Sequence, residues 1–217
     1  MTFEGCDGTG KSTQIALLVR RLTELGYRVY STREPGGTPV GEAIRSLLLD
    51  THGPERTALA EAFLYAASRA ELVYKVLLPA LNSNQFVVVE RFTDSTLVYQ
   101  GIAGGVPLEK IEEINRLATG GLSPDLTILL DVDDLSEIDR RIRSGRTKDK
   151  IESRGQAFHA SVRDGYRMLA QKYPERIKVV LCSGPPGEIS DKVISLVLAR
   201  AREVCTTEGG KGDRHRG

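Results

Sequence analysis

The chain lacks most of the features that mark secreted, membrane-bound or nucleic-acid-binding proteins. It has three cysteines in 217 residues, an odd number without metal-ligand spacing, which argues against a disulfide framework and a zinc site. Thirty basic and 29 acidic residues leave a net charge of +1, which gives no electrostatic reason to expect a nucleic-acid polymer or a membrane surface as partner. No run of 18 apolar residues occurs, and the chain begins directly with a motif instead of a signal peptide. We therefore expect a cytoplasmic protein with small-molecule partners.

The amount of apolar sequence predicts one domain. Hydrophobic residues make up 40% of the chain and charged residues 27%, enough for one substantial core. We predict a single domain over residues 1–205. The tail over 206–217, TTEGGKGDRHRG, has nothing to pack and is expected to be disordered.

The strongest motif lies within the first dozen residues. The segment GCDGTGKS matches G-x-x-x-x-G-K-[ST], the loop that holds nucleotide phosphates. Its backbone N–H groups point into one anion-sized hollow, an exposed Lys11 ammonium reaches the terminal phosphates, and the Ser12 hydroxyl can bind Mg²⁺. A helical period over Thr13–Leu25 follows the loop, as a phosphate site requires. The predicted nucleotide-binding residues are Gly5, Cys6, Asp7, Gly8, Thr9, Gly10, Lys11 and Ser12.

Short apolar runs alternate with helical patterns along the rest of the chain. This alternation predicts a doubly wound, three-layer α/β fold, with a five-stranded parallel sheet, helices on both faces, and ligands beyond the carboxyl ends of the strands. The helical pattern over Ala58–Leu81 has an apolar surplus that could form a dimer face. A basic segment at about 143–153 is typical of a mobile lid. The predicted strands are Thr2–Glu4, Tyr27–Thr32, Phe86–Glu90, Leu126–Val132 and Ile177–Cys182.

Two further polar clusters follow predicted strands at the phosphate edge. Glu90 and Arg91 follow the apolar run FVVV, where a guanidinium could grip a second phosphate and a carboxylate could hold Mg²⁺. An ion pair that only caps the strand is the alternative. The turn REPGGT, residues 33–38, brings backbone close to a ligand, or is a plain turn.

The order and spacing of these motifs resemble the bacterial-type thymidylate kinases. The resemblance rests on FEGCDGTGKSTQ, TREPGGTPVGEAIRSLLL, FLYAASRAE, VVVERFTDSTLVYQG, SPDLTILLDV and VRDGY, and covers the chain to about Cys182. It implies the P-loop nucleoside-monophosphate-kinase fold, a homodimer, and transfer of the γ-phosphoryl group of ATP to dTMP with Mg²⁺.

The resemblance also implies roles for individual residues. Tyr65 would stack on thymine and Arg69 would donate to its O4, where cytosine presents an amino group. Glu34 and Glu90 would order Mg²⁺ and its waters, with Ser12 as a ligand. Packing in the core is the alternative for Tyr65 and Tyr99. The implied dTMP-binding residues are Asp7 at the 3′-hydroxyl, Glu34, Arg45 and Arg91 at the phosphate with Thr96 nearby, Tyr65 and Arg69 at the base, Tyr99 at the sugar, and Gln100 at the Watson–Crick edge.

Catalysis in this class is alignment and charge neutralisation, because the attacking phosphate oxygen is already largely ionised. The only basic side chain in the phosphate loop is Lys11, so the remaining charge should come from the lid. The predicted catalytic residues are Lys11, Arg91, Arg143 and Arg146. Lys148 and Lys150 are further lid donors, although the sequence DKIE replaces the usual DRIE at Lys150. A solvated basic helix end is the alternative for each lid residue.

Three other functions compete with this interpretation. A kinase for another nucleoside monophosphate would need the set Tyr65, Arg69 and Gln100 to accept a different base. The second is a switch or binding module that uses ATP or GTP to change partners. GTPases of this kind need NKxD and DxxG motifs, which the sequence does not have in suitable context. A nucleotide-binding protein that has lost catalysis is the third alternative.

Overall fold

The chain folds around a five-stranded parallel sheet, as the alternating pattern predicts. The structure, a computed structural model, describes residues 1–132, 150, 151 and 153–209, with the backbone alone for 205–209. The strands are β1 (Thr2–Glu4), β2 (Val29–Arg33), β3 (Phe86–Glu90), β4 (Thr127–Asp131) and β5 (Ile177–Leu181). The helices are α1 (Lys11–Glu24), α2 (Pro39–Leu49), α3 (Ala58–Leu72), π1 (Val73–Leu77), α4 (Leu78–Asn82), α5 (Thr93–Thr96), π2 (Leu97–Ile102), α6 (Leu108–Thr119), α7 (Gln156–Lys172) and α8 (Pro186–Gly209).

The strand order is β2-β3-β1-β4-β5, with β1 in the centre. Although β1 has only three residues, it pairs with β3 on one side and with β4 on the other. All pairs are parallel, so the carboxyl ends of the strands meet at one edge. The phosphate loop, the turn after β2 and the segment after β3 all leave the sheet at this edge.

All five predicted strands are present, but β2 lies further along the chain than predicted. It begins at Val29 instead of Tyr27 and ends at Arg33. The Tyr27 ring instead packs edge to face on Phe86, with 5.5 Å between ring centroids. The ends of β4 and β5 differ from the predicted ends by one residue.

Two groups of helices cover the sheet. In the first, α1 and α8 pack on each other, α1 also on β1, β2 and β3, and α8 on β5. In the second, α3 contacts α2, α6 and π2, while α7 contacts π2, β4 and β5. The second group carries the side chains that face the segment after β3.

The helix predicted over Ala58–Leu81 is continuous but contains the wider turn π1. Leu78 N–H bonds to the carbonyl of Val73, five residues earlier. Pro79 explains the change, because it cannot donate to the carbonyl of Lys75 and its ring would clash with it in a regular helix.

The last helix, α8, continues to Gly209. It therefore runs past residue 205, where we predict the end of the domain. Residues 210–217 of the predicted tail lie outside the described part of the chain. Among the helices that the structure describes, none has the length and apolar composition needed to cross a membrane.

Gly5 provides a test of the backbone path into the phosphate loop. Its φ is +131°, and a Cβ built there would lie 2.3 Å from the carbonyl oxygen of Leu130. We predict that Gly5→Ala lowers the free energy of unfolding by at least about 1–3 kcal/mol, the usual cost of such a backbone conformation. Urea unfolding followed by circular dichroism measures the change.

Gly187→Ala is the matched control, because nothing lies within 4 Å of a Cβ built on Gly187 in α8. This change should be neutral or stabilise the protein by up to about 1 kcal/mol. Equal unfolding midpoints for the two variants would contradict the predicted clash.

Candidate active site

The phosphate loop has the backbone shape that an anion site requires. Gly5, Gly8 and Gly10 have positive φ, which glycine adopts readily. Thr9 closes the loop by donating its hydroxyl to the carbonyl of Cys6 at 2.9 Å. Helix α1 starts directly after the loop, with no acidic residue in its first turn and no side-chain cap. Its amides and the positive end of its dipole are therefore available to a phosphate.

Lys11 is buried, which corrects the prediction of an exposed ammonium. Only 4% of the residue is accessible, and Nζ donates to the carbonyls of Gly5 at 3.1 Å and Cys6 at 2.8 Å. Burial lowers the pKa of Lys11, and the charge of Arg91 adds to this effect. The ammonium is therefore already at the loop, but held by the loop's own carbonyls.

Cys6 fills a position in this loop without reactive chemistry. Its side chain is buried, and burial raises the pKa of the thiol to about 11. A thiol that stays protonated at neutral pH is a poor nucleophile. The structure therefore gives Cys6 a packing role.

Ser12 and Glu90 are suited to hold Mg²⁺. The Ser12 hydroxyl donates to Oε2 of Glu90 at 2.8 Å, so two hard oxygen atoms lie within reach of one ion. Among the described residues, no group of three or more His, Cys, Asp and Glu side chains is arranged to bind a metal. The other ligands would be phosphate oxygens and water, as is usual for Mg²⁺ at a nucleotide.

Arg91 and Asp7 form an ion pair between the end of β3 and the phosphate loop. Nη2 of Arg91 lies 2.6 Å from Oδ1 of Asp7. Burial alone would raise the pKa of Asp7, but Arg91 and Lys11 hold it well below its usual range. The Tyr99 hydroxyl donates to the other oxygen of Asp7 at 3.3 Å, and the Arg91 guanidinium lies 5.1 Å from the centre of the Tyr99 ring. These three predicted site residues therefore meet.

Arg91 adopts a left-handed backbone conformation, with φ of +66°, which is uncommon for a residue other than glycine. Its own N–H bonds to the carbonyl of Phe3, and the next amide, of Phe92, donates to Oε1 of Glu4 at 2.8 Å. Oε2 of Glu4 accepts from Ser95 at 2.6 Å and from Tyr166 at 2.8 Å. The buried Glu4 carboxylate thus holds the turn that presents Arg91.

Glu4, Ser95 and Tyr166 are site residues that the sequence interpretation misses. The guanidinium of Arg91 donates through Nη1 to Ser95 and Tyr166. Burial raises the pKa of Glu4, and the charge of Asp94 raises it further. A glutamate in a central buried strand, directly before the phosphate loop, is a signal that could have revealed Glu4. Tyr166 lies in the motif VRDGY, which carries the family resemblance but has no predicted role.

Arg69 lies in a buried hydrogen-bond network. Only 1% of the residue is accessible. Nε donates to Glu34 at 2.8 Å, Nη1 to Asn115 at 2.6 Å, and Nη2 to Thr96 at 2.9 Å and to the carbonyl of Phe92 at 3.0 Å. Within the described residues these bonds leave one Nη1 hydrogen for a ligand.

This network includes two further residues with predicted roles, Glu34 and Thr96. Glu34 is predicted to order Mg²⁺, but its carboxylate pairs with Arg69 at 2.7 Å and is 2% accessible. Burial raises the pKa of Glu34 to about 7, against the opposing charge of Arg69. Its other carboxylate oxygen, Oε1, has no hydrogen-bond partner among the described residues, so the role of Glu34 at Mg²⁺ stays a prediction. Thr96 is predicted near the phosphate, and its hydroxyl accepts from Arg69; its place beside the phosphate stays a prediction.

The other predicted dTMP residues lie on helices around this network. Tyr65 is half-buried on α3, one turn before Arg69. Gln100 is buried in π2 and donates to Glu61 at 3.2 Å. Arg45 on α2 donates to the carbonyl of Pro35, in the turn after β2. A shared phosphate clamp of Arg45 and Arg91 stays a prediction.

Most of the predicted lid cannot be compared with the structure. Arg143, Arg146 and Lys148 lie outside the described residues. Lys150 is described, and its Nζ donates to the carbonyls of Gly53 at 2.7 Å and Pro54 at 2.8 Å. Lys150 is therefore held at the loop after α2 in this structure, and its role toward a phosphate stays a prediction.

The fold and the site define a P-loop protein with the nucleoside-monophosphate-kinase fold. A model of the thymidylate kinase family matches residues 3–193. The chain belongs to the thymidylate kinase family.

Individual relatives agree with this assignment. The thymidylate kinase of Pelotomaculum thermopropionicum is 47% identical over 205 residues, which cover 94% of this chain and 93% of the relative. That of Synechococcus sp. (strain JA-3-3Ab) is 48% identical over 200 residues, with coverage of 92% and 95%. A crystal structure of thymidylate kinase from Ehrlichia chaffeensis has a TM-score of 0.73 at 33% identity, covering 90% of this chain and 96% of that one.

Arg91→Lys tests the site at its centre. A lysine ammonium cannot reach Asp7, Ser95 and Tyr166 together, and cannot hold a phosphate through two parallel bonds. We predict a fall in kcat of about 10²–10³-fold, as for the loss of one charge-stabilising donor in other enzymes. Steady-state kinetics with ATP and dTMP measures this.

Arg176→Lys is the control for general damage to a buried ion pair. Arg176 precedes β5 at the other edge of the sheet and holds both oxygens of Asp94, at 2.6 and 2.9 Å. The change should lower the melting temperature while kcat stays within about 3-fold of wild type, since its hydrogen bonds go to Asp94 and Thr127 and not to the phosphate loop or Arg91. A similar loss of kcat in both variants would show that Arg91 acts only through stability.

Proposed function

We infer that the chain is a dTMP kinase, which transfers the γ-phosphoryl group of ATP to dTMP and gives dTDP and ADP. One observation carries this inference. The phosphate loop is linked through the Asp7–Arg91 ion pair to the segment after β3, and Phe92 and Thr96 of this segment accept from the base-side residue Arg69. These contacts support a donor phosphate site and an acceptor nucleotide site at one edge of the sheet, in a chain of the thymidylate kinase family.

On the donor side, we assign residues 5–12 to ATP. The amides at the start of α1 would hold the phosphates, and Lys11 would leave the carbonyls of Gly5 and Cys6 to bind the terminal phosphates. Ser12 and Glu90 would hold Mg²⁺, which when bound neutralises charge on the phosphate oxygens. The Ser12–Glu90 hydrogen bond supports this assignment because it brings the two oxygen ligands together.

On the acceptor side, we assign Arg91 and Arg45 to the phosphate of dTMP and Asp7 to its 3′-hydroxyl. The lowered pKa of Asp7 keeps the carboxylate ionised, so that it can accept this hydrogen bond. Tyr99 contacts Asp7 and would border the sugar. Tyr65 would stack on thymine.

The reaction needs charge more than it needs a general base. The phosphate that attacks has a second pKa of about 6 and is mostly doubly ionised at neutral pH. Within the phosphate loop only Lys11 is basic, so we propose that Arg143 and Arg146 of the lid supply the remaining positive charge. The position of both arginines in the sequence, after β4 and before α7, supports this, because that connection leaves the sheet at the phosphate edge.

We propose that the protein acts as a homodimer in the cytoplasm. Helix α3 and its continuation carry an apolar stripe at helical spacing, with Leu59, Phe63 and Tyr74 exposed at 39%, 57% and 55%. Val40 and Leu47 are exposed on the adjacent helix α2. A second copy would cover such a face by two-fold symmetry. The nucleotide substrates favour the cytoplasm, where a thiol such as that of Cys6 stays reduced.

A panel of nucleoside monophosphates tests the proposed reaction. With ATP, we expect ADP formation to depend on the acceptor, and dTMP to have the highest kcat/KM. The value for dUMP should be about 10–200-fold lower, the usual effect of one missing methyl group. A coupled assay with dTMP, dUMP, dCMP and dGMP measures this. ATP hydrolysis that ignores the acceptor, or a preference for another base, would contradict the assignment.

Phe63→Glu tests the dimer face. A charged side chain at this exposed position would have to be buried on association, so we predict that the variant sediments as a monomer at concentrations where the wild type is a dimer. Met168→Glu is the control, since Met168 is 43% exposed on α7. A wild-type monomer, or dissociation in both variants, would contradict the assignment of this face.

A further inference from the structure

The buried side chain of Glu61 contacts Arg154 and Gln100. It is on α3 and only 1% accessible. Oε1 accepts from Nη2 of Arg154 at 2.5 Å, and Oε2 accepts from Nε2 of Gln100 at 3.2 Å. Arg154, whose guanidinium also lies 4.7 Å from the centre of the Phe158 ring, supplies the counter-charge that a buried carboxylate requires.

Glu61 lies in the same row of side chains as the proposed base-binding residues. Glu61, Tyr65 and Arg69 are four residues apart on α3 and therefore share one face of the helix. Opposite them, Thr96 accepts from Arg69 and Gln100 donates to Glu61. On this face of α3, Tyr65 lies between the Arg69–Thr96 contact and the Gln100–Glu61 contact. We call the space beside these five residues the base pocket.

The contact with Glu61 decides which way the amide of Gln100 is turned. An ionised carboxylate only accepts hydrogen bonds, so the –NH₂ end of Gln100 must face Glu61. The carbonyl oxygen, Oε1, is then the end that remains for a ligand. An acceptor at this point suits the N3–H donor of thymine and opposes the unprotonated N3 of cytosine, which is itself an acceptor.

We propose that Glu61 is a positioning residue for base selection, which holds the amide of Gln100 with its oxygen toward the base. This rests on the proposed dTMP kinase function. Glu61 itself does not touch the substrate. Its effect is to exclude the flipped amide, whose –NH₂ group would attract cytosine and repel thymine.

Glu61→Gln tests the proposal with almost no change in shape. The glutamine side chain can donate or accept, so the amide of Gln100 is no longer fixed. We expect the KM for dTMP to rise about 10-fold, equivalent to about 1.4 kcal/mol, with kcat and the KM for ATP within about 3-fold of wild type. The ratio of kcat/KM for dTMP to that for dCMP should fall at least about 10-fold.

N3-methyl-dTMP separates this role from a merely structural one. The methyl group removes the N3–H donor, so the wild type should discriminate strongly against it. Discrimination should fall in Glu61→Gln toward the level of Gln100→Leu, which has no acceptor. In the double variant Glu61→Gln/Gln100→Glu, the carboxylate introduced at position 100 accepts from the amide introduced at position 61 and again presents an acceptor. Discrimination should then return to within about 3-fold of wild type, and this holds as a test even if the single variant does not fold.

Glu71→Gln is the matched control, because Glu71 is on the same helix but pairs with the exposed Lys75. It should leave every ratio unchanged. Wild-type ratios in Glu61→Gln, or no recovery in the double variant, would overturn the role of Glu61 while dTMP remains the substrate. Failure of the wild type to phosphorylate dTMP would instead overturn the proposed function.

Discussion

The carboxylate of Glu4 joins the central strand to the segment that carries Arg91 and to helix α7. It extends from the central strand and accepts from the amide of Phe92 and the hydroxyls of Ser95 and Tyr166. These three donors belong to two different elements, the segment after β3 and helix α7. Because Arg91 is in a left-handed conformation directly before Phe92, its strained turn persists only where surrounding contacts determine it. The geometry of Arg91 and Asp7 therefore depends on a carboxylate that holds the turn from behind.

The sequence predicts the fold well because its signals are local. Apolar runs alternate with helical periods, and each run forms a strand of the parallel sheet. The phosphate loop is also local, since glycines within six residues determine its backbone. The periodic pattern does not predict two details. Strand β2 starts later than predicted because Tyr27 packs on Phe86, and the turn π1 forms because Pro79 has no N–H to donate.

The candidate site is less predictable because its contacts join distant parts of the chain. The resemblance to a family predicts that Arg69 contacts the base, but the hydrogen bonds of Arg69 to Glu34 and Asn115 depend on three separate elements. The same applies to Lys11, whose contact with the loop carbonyls corrects the expected exposure. A sequence pattern gives the residue types at the site, whereas only the folded chain gives their hydrogen-bond partners.

Because of the position of Lys11, any anion that binds its ammonium must replace existing hydrogen bonds. Two carbonyls already satisfy the ammonium, so an incoming anion gains only the difference between its own hydrogen bonds and those it replaces. A weakly charged anion offers little advantage over a peptide carbonyl, whereas the adjoining oxygens of a polyphosphate offer several charged acceptors at once. Replacing these two carbonyls therefore favours an anion with several charged oxygens over an anion with one.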